Sequence, residues 1–387
     1  MTRPDPEPQA EPEPEPEHAA RSIGRRPTIR DVAAAAGVSR GTVSRVLNNS
    51  TAVRPDTRRI VMEAITRTRF VASATARSLN TRRTGTVALV VTERYERVFE
   101  DPSFSLMVRG LQLHTEQAGL LMFIVLAETE DSRARIVERA VSGSVDGLVL
   151  LSTHGDDPIF RLIVDADVPA VVCGEPLGTG DALPFVRLGD QAGARSAVEH
   201  LVETGCRSIA AVVGPPDTAS SRNREAGARE GVCFGESAAK LQVYRSAEYS
   251  VVEGARAMEQ ILDRASRPDA VFCASDVLAM GALARCADAN LKVPDDLRFA
   301  TFDDTAFASR HIPPLTSVAL PFDTCAGASI DLLIRVLDGE RPRPAQLECT
   351  LHVRASSQPP AHRGRSMRSH GHSSDPRRSG LGEVSAG

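Results

Sequence analysis

The chain has 387 residues, and its 46 Lys or Arg against 50 Asp or Glu leave a formal net charge of only −4, so a strongly charged segment stands out against the whole. That length exceeds one ordinary domain and predicts two or three, each able to bury a core. Seven cysteines, an odd number with no C-x-x-C pair, exclude a disulfide framework and a metal ribbon and point to reduced, mostly core thiols in a cytoplasmic protein.

Within residues 1–27, residues 4–20 read PDPEPQAEPEPEPEHAA. Alternating Pro and Glu with no apolar run predicts a disordered acidic tail and no signal peptide. The stretch TIRDVAAAAGVSRGTVSRVLN, from Thr28 to Asn48, then reads as two short helices joined by a tight turn. Thr28 suits the N-cap of the first, with Asp31 in its first turn. Ile29, Val32, Ala33 and Ala36 form one apolar stripe. Gly37 fits a left-handed helix end and Ser39 the next N-cap. In the second helix Val43, Val46 and Leu47 face inward, which leaves Arg40, Gly41, Ser44, Arg45 and Asn48 outward as a short cationic face suited to the major groove. Residues 21–83 hold fourteen Arg and three acidic residues, the electrostatic footprint of a polyphosphate partner. Pro55 opens a third helix, and Arg54 before it cannot accept the orphan N–H bonds.

The order TIRDVAAAAGVS, TVSRVLNN, VRPDTRRIVMEAI, ARSL resembles the lac-repressor (LacI/GalR) family of bacterial transcription regulators, from Thr28 to about Val353. The resemblance implies an all-α helix-turn-helix DNA-binding domain at 28–72, a hinge helix and linker at 73–84, and an effector-binding and dimerisation core at 85–353. It implies DNA contacts from Thr28, Ser39, Arg40, Gly41, Thr42, Ser44, Arg45, Asn48 and Arg77. It also implies that Leu79, in ARSL, wedges into the minor groove when two subunits meet on an operator. Ala72 stands where the family commonly has Pro, and Gly41 offers no side chain at a base-reading position.

From Gly85 the pattern changes to short apolar runs, TVALVV, LLMFIVLA, DGLVLLS, VPAVVC, SIAAVVGP, PDAVFCAS and LRFATF, most separated by helical segments. They predict parallel strands buried on both faces with crossover helices, in more units than one open sheet holds, hence two lobes of α/β structure. The resemblance implies a periplasmic-binding-protein-like core, with lobe 1 at about 85–188 and 318–340 and lobe 2 at about 189–315 and 346–353. A ligand belongs between the lobes, at the carboxyl ends of the strands. Carried over singly, the family's effector-binding positions are Phe104, Ser105, Arg222, Arg224, Tyr249, Ser275, Asp276 and Asp303. Gly174 replaces the family's usual Asp after the fourth strand, with Glu175 beside it, and Ser275 replaces an Asn.

The tail at 354–387 is low in complexity and basic, predicting disorder. It lacks apolar heptads, so a homodimer is expected rather than a coiled-coil tetramer. No nucleophile–base pair, metal cluster or phosphate-gripping loop appears at recognisable spacing, so no catalytic residue, metal or cofactor is expected. The expected function is a cytoplasmic regulator, nucleoid-associated when bound to DNA and acting without a membrane. It would repress from an inverted-repeat operator in double-stranded DNA, under a small sugar-like effector. The competing readings are a purine-like co-repressor, or a soluble small-molecule-binding protein with only non-specific DNA affinity.

Overall fold

The computed structural model describes residues 27–47, 50–70, 83–155, 157–178, 182–235 and 239–359. The chain divides into two units at Thr84 and Gly85. The first holds three helices, α1 (Ile29–Ala36), α2 (Arg40–Leu47) and α3 (Pro55–Thr68). Val32, Ala33, Val43, Val46, Val61 and Ala64 form its core. Asp31 accepts from the Thr28 backbone N–H at 2.6 Å and from its hydroxyl at 2.8 Å, while Gly37 ends α1 at φ 65. Ser39 Oγ then accepts from the Thr42 N–H at 3.1 Å and so starts α2. As expected, Arg54 makes no side-chain cap on α3. Instead Arg58 reaches back to the Ser50 carbonyl at 2.8 Å and ties α3 to the segment after α2.

The second unit contains two six-stranded sheets. The first is built from β1 (Thr86–Val91), β2 (Leu121–Leu126), β3 (Gly147–Leu151), β4 (Ala170–Cys173), β5 (Phe185–Leu188) and β11 (Ala345–Leu347), in the order β11-β5-β4-β3-β1-β2 and all parallel. The second is built from β6 (Ser208–Val213), β7 (Lys240–Arg245), β8 (Ala270–Cys273), β9 (Arg298–Asp303), β10 (Thr316–Ala319) and β12 (Thr350–His352), in the order β12-β10-β9-β8-β6-β7, with only β12 antiparallel. The connecting helices are α4 (Tyr95–Glu100), α5 (Pro102–Gln117), α6 (Glu130–Val141), α7 (Ile159–Asp165), α8 (Asp190–Glu203), α9 (Ala219–Gly231), α10 (Val251–Leu262), α11 (Asp276–Asp288), α12 (Ala306–Arg310) and α13 (Phe322–Leu337). Central strands such as β1 and β3 are buried throughout, because helices cover both faces of a parallel sheet. The edge strand β2 departs from that rule, with Leu121, Phe123 and Ile124 exposed.

The crossing points between lobes differ from the expected ones. Residues 318–319, expected in lobe 1, end β10 in the second sheet, and the chain enters lobe 1 only with α13. Residues 346–347, expected in lobe 2, pair with β5 in the first sheet. A short linker then carries the chain to β12. Residues 354–357, expected in the disordered tail, belong to the second lobe. Ser356 accepts from the Thr316 N–H at 2.8 Å and donates to the Phe299 carbonyl at 2.7 Å, and Arg354 donates to Asp304 at 2.9 Å. The tail reading failed because these serines are buried and paired, which composition does not reveal. The expectations for residues 1–26 and 360–387, and for Asn48, Ala72, Arg77 and Leu79, lie outside the described residues.

Candidate DNA-contacting face and effector cleft

In the first unit, Val43 and Val46 turn into the core, so α2 presents Arg40, Gly41 and Arg45 to solvent, with Thr42 and Ser44 half-buried beside them. An ideal side-chain carbon at Gly41 would meet only Ser39 Oγ, at 3.7 Å. The face is therefore open at that point.

In the second unit, strand carboxyl ends from both lobes converge on one cleft with a void of about 150 Å³, as the topology of open parallel sheets requires. At its centre is Arg224 on α9, only 5 % exposed. Its Nε donates to Asp190 at 2.7 Å, and its Nη1 donates to the Ala274 carbonyl at 2.6 Å and to Asp303 at 3.2 Å. The guanidinium also lies 3.9 Å from the Phe302 ring centroid. Its Nη2 has no hydrogen-bond partner among the described residues, which leaves two N–H groups for another acceptor.

Burial opposes the charge on Arg224, but the Asp190 and Asp303 carboxylates outweigh it and raise its pKa. Burial in turn lifts both carboxyl groups above the usual range, against the pull of Arg224. Asp303 sits at φ 94, in left-handed space, and its second oxygen accepts from the Asp276 N–H at 3.2 Å.

The opposite wall comes from the first lobe. Asp101 caps α5 by accepting from the Ser103 N–H at 2.9 Å. Phe104, Met107, Leu151, Cys173 and Phe322 supply apolar surface, with Ser103, Ser152 and Glu175 between them. Arg97 spans the cleft, its guanidinium carbon 5.4 Å from the Phe104 ring centroid and 4.9 Å from that of Tyr249. Tyr249 fits because Gly214 faces its ring; a side-chain carbon there would overlap it. The Tyr249 hydroxyl and Arg97 Nε are buried without a hydrogen-bond partner. Each such orphan costs about 1–3 kcal/mol unless a ligand or water completes it.

At the rim, His154 Nε2 lies 3.0 Å from Glu93 and its Nδ1 2.8 Å from Asp217 of the second lobe. Asn223 donates across the lobes to Glu175 at 3.1 Å. Burial pushes the Glu93 carboxyl up, but the His154 hydrogen bond and the Arg97 charge hold it below its ordinary value.

Of the residues expected to bind an effector, Phe104, Arg224, Tyr249, Ser275 and Asp303 line this cleft. Three do not. Ser105 is exposed and donates to the Pro102 carbonyl at 2.8 Å, since it lies about 100° around α5 from Phe104. Arg222 is exposed on the far side of α9, about 200° from Arg224, and bonds the Pro216 carbonyl. Asp276 is buried behind the wall, where its carboxylate accepts from the Thr305 N–H and hydroxyl, both at 2.7 Å, and from Thr301 at 3.1 Å. Asp190, Asp101 and Arg97, which also line the cleft, were missed. The available signal was position: Asp190 follows the end of β5, and Arg97 and Asp101 lie in the segment that follows β1. Among the described residues, no group of three or more His, Cys, Asp or Glu could hold a metal ion, and no helix is long and apolar enough to cross a membrane.

Comparison with known proteins agrees with this architecture. Residues 28–73 match the bacterial regulatory proteins of the lacI family, and residues 198–357 match the periplasmic binding protein-like domain. The HTH-type transcriptional regulator CelR of Thermobifida fusca is 36% identical over 330 residues, 85% of this chain and 97% of CelR. The HTH-type transcriptional repressor PurR of Escherichia coli O1:K1 / APEC is 30% identical over 328 residues, 83% of this chain and 93% of PurR. A solved CelR–cellobiose complex superposes with a TM-score of 0.67 at 35% identity, covering 86% of this chain and 100% of that one. The lac repressor dimer bound to operator and the anti-inducer ONPF gives a TM-score of 0.75 at 26% identity, again over 86% and 100%. With a helix-turn-helix head, a two-lobed core and relatives matched over nearly their whole length, the chain belongs to the lacI family of bacterial regulatory proteins.

Proposed function

We propose that this protein is a cytoplasmic transcriptional repressor that binds an inverted-repeat operator as a homodimer. A β-linked disaccharide of the cellobiose type, held in the cleft, would release it. The observation that carries the effector assignment is the Arg224 cluster. A buried guanidinium fixed by Asp190 and Asp303 keeps Nη2 for a ligand oxygen, and the Tyr249 hydroxyl waits unpaired nearby. A polyhydroxylated ligand needs such a mixture of donors, acceptors and ring faces, here Phe104, Tyr249 and Phe322. Cellobiose is named because the CelR complex holds it.

Arg40, Thr42, Ser44 and Arg45 on α2 are proposed to face the bases, with Thr28, Ser39 and Gly41 near the backbone and Asn48, Arg77 and Leu79 completing the contact. Dimerisation is supported by the apolar edge of β2, where Leu121, Phe123 and Ile124 are each at least 50% exposed. An uncovered strand edge of that kind pairs with a second copy more readily than it tolerates water. The two lobes form a binding module rather than a catalyst. An effector that lowers operator affinity must itself bind the DNA-bound form less tightly, a coupling of about 1–3 kcal/mol.

The test is selection of duplexes from a random library by the full-length protein at physiological salt, followed by titration of the enriched duplex with cellobiose. An enriched inverted repeat, released by cellobiose without turnover of the sugar, supports the proposal. Release by other ligands only, purine-like compounds included, rejects the effector class. Enrichment of no sequence rejects the regulator reading itself in favour of a small-molecule-binding protein with non-specific DNA affinity.

A further inference from the structure

The cleft wall contains sulfur chemistry that effector binding leaves unused. Cys173 ends β4 and Cys325 lies in the first turn of α13, with their Sγ atoms 3.5 Å apart. Met107 Sδ is 3.6 Å from Cys173 Sγ. Cys173 and Met107 line the cleft, while Cys325 is fully buried behind Cys173. We propose that Cys173 and Cys325 form an oxidisable dithiol in the cleft wall, which a hydroperoxide entering through the cleft converts to a disulfide.

Placement assigns the roles. Cys173 faces the route by which a small oxidant arrives, so it is the attacking thiol, and Cys325 is the resolving thiol. The hydrogen bond from Cys325 lowers the Cys173 thiol below its ordinary value despite burial. The same contact, together with burial, raises Cys325. A thiolate is the nucleophile in such reactions. In the first step the Cys173 sulfur bonds to the terminal peroxide oxygen, the O–O bond breaks, and the departing oxygen takes the thiol proton, leaving as water from hydrogen peroxide or as the alcohol from an organic hydroperoxide. In the second, the Cys325 sulfur displaces the sulfenic hydroxyl, which leaves as water with the Cys325 proton. Two thiols lose two electrons in all, and the peroxide gains them. Because both cysteines belong to the first lobe, no lobe movement is needed, only an approach of about 1.5 Å to reach an S–S bond of about 2.05 Å.

That the dithiol borders an effector site rests on the function proposed above. The disulfide itself does not, since peptide mass spectrometry reads it with neither operator nor effector present. Reduced full-length protein would be titrated with hydrogen peroxide, unfolded in iodoacetamide and digested. The expected product is a Cys173–Cys325 linked peptide, reversed by dithiothreitol, at doses that leave the buried Cys206, Cys273 and Cys286 as alkylated free thiols. The exposed Cys233 serves as the yardstick of oxidation. In C325S, dimedone should label Cys173, and in C173S it should leave Cys325 unlabelled. Absence of the linked peptide at doses that oxidise Cys233 completely overturns the proposal, as does a dimedone adduct on Cys325 in C173S.

Discussion

His154 Nδ1 lies 2.8 Å from the Asp217 carboxylate, so one imidazole joins the second lobe to the first, where its Nε2 lies 3.0 Å from Glu93. A neutral imidazole has one N–H, and both contacts are hydrogen bonds only in the imidazolium. The Glu93 bond is the main cause of a His154 pKa raised above 6.5, against desolvation, with Asp217 adding to it. A raised folded value means that the stabilisation is complete below the unfolded pKa and is lost as pH rises through the folded one. The link between the lobes should therefore weaken as pH rises beyond the ordinary imidazole value. The Asp217 side chain is 55% exposed, so screening limits its share of the effect to about 1 kcal/mol or less. Melting temperatures of wild type and H154Q from pH 6 to 9 test this. The wild type should lose more stability across the window than H154Q, in which Asp276 still titrates, and parallel curves would contradict a His154 contribution.

Replacing Arg224 attacks the centre of the cleft. R224Q leaves Asp190 and Asp303 buried without their cation, and removing one partner of a buried pair costs about 3–5 kcal/mol. R224K keeps the charge but cannot serve Asp190, Asp303 and the Ala274 carbonyl with one planar fork. Urea denaturation should rank wild type above R224K above R224Q. Titration of the DNA-bound protein with effector should show loss of release in both variants. Stability equal to wild type in R224Q would mean that the two carboxyl groups are satisfied without the guanidinium.

Asp276 is raised above the usual carboxylate range by burial first and by the Asp303 charge second. Its contribution to stability is therefore full at pH below about 4 and declines as pH rises through the folded value. D276N keeps an oxygen for the Thr305 N–H and hydroxyl but cannot ionise. The pH-dependent fall in melting temperature above pH 4 should thus be shallower in D276N, whereas D276L should unfold more easily at every pH because Thr305 loses its acceptor. A D276N profile as steep as wild type would assign the fall to other groups.

The sequence made the elements legible where periodicity was strong: three helices in the first unit, and β1, β2, β3, β4, β6, β8 and β9 with their helices in the second. Weak strands were lost. β5, β7 and β10 are short or half polar, and the crossings that depend on them shifted by a few residues. In the cleft, residues at strand ends were found when a motif marked them. Asp190 was missed because an acid in the first turn of a helix already has a local explanation in the helix dipole. Its real partner, Arg224, is 34 residues away in sequence. Ser105, Arg222 and Asp276 lie off the cleft for the opposite reason: a motif fixes a segment, but about 100° of rotation per residue decides which of its side chains face the cleft.

On α2, the same rotation sorts Arg45 and Gly41 onto the exposed face. Arg45 is at the carboxyl end of the helix and makes no side-chain hydrogen bond within the described residues, so its fork is available to a guanine edge. Such a contact is worth about 1–3 kcal/mol of discrimination between bases. R45A should flatten the preference for the selected operator over its single-base variants, while a phosphate-contacting arginine, once removed, would weaken all duplexes alike. Gly41 gives an independent reading of the same face. An added methyl group meets only Ser39 Oγ at 3.7 Å, and Ala in a helix interior is favoured over Gly by about 0.8–1 kcal/mol. G41A should therefore slow amide exchange along α2 in the full-length protein. If Gly41 lies against the duplex, the same variant should lower operator affinity despite the more stable helix. Slower exchange with unchanged affinity would place Gly41 away from the DNA and leave readout to Arg40, Ser44 and Arg45.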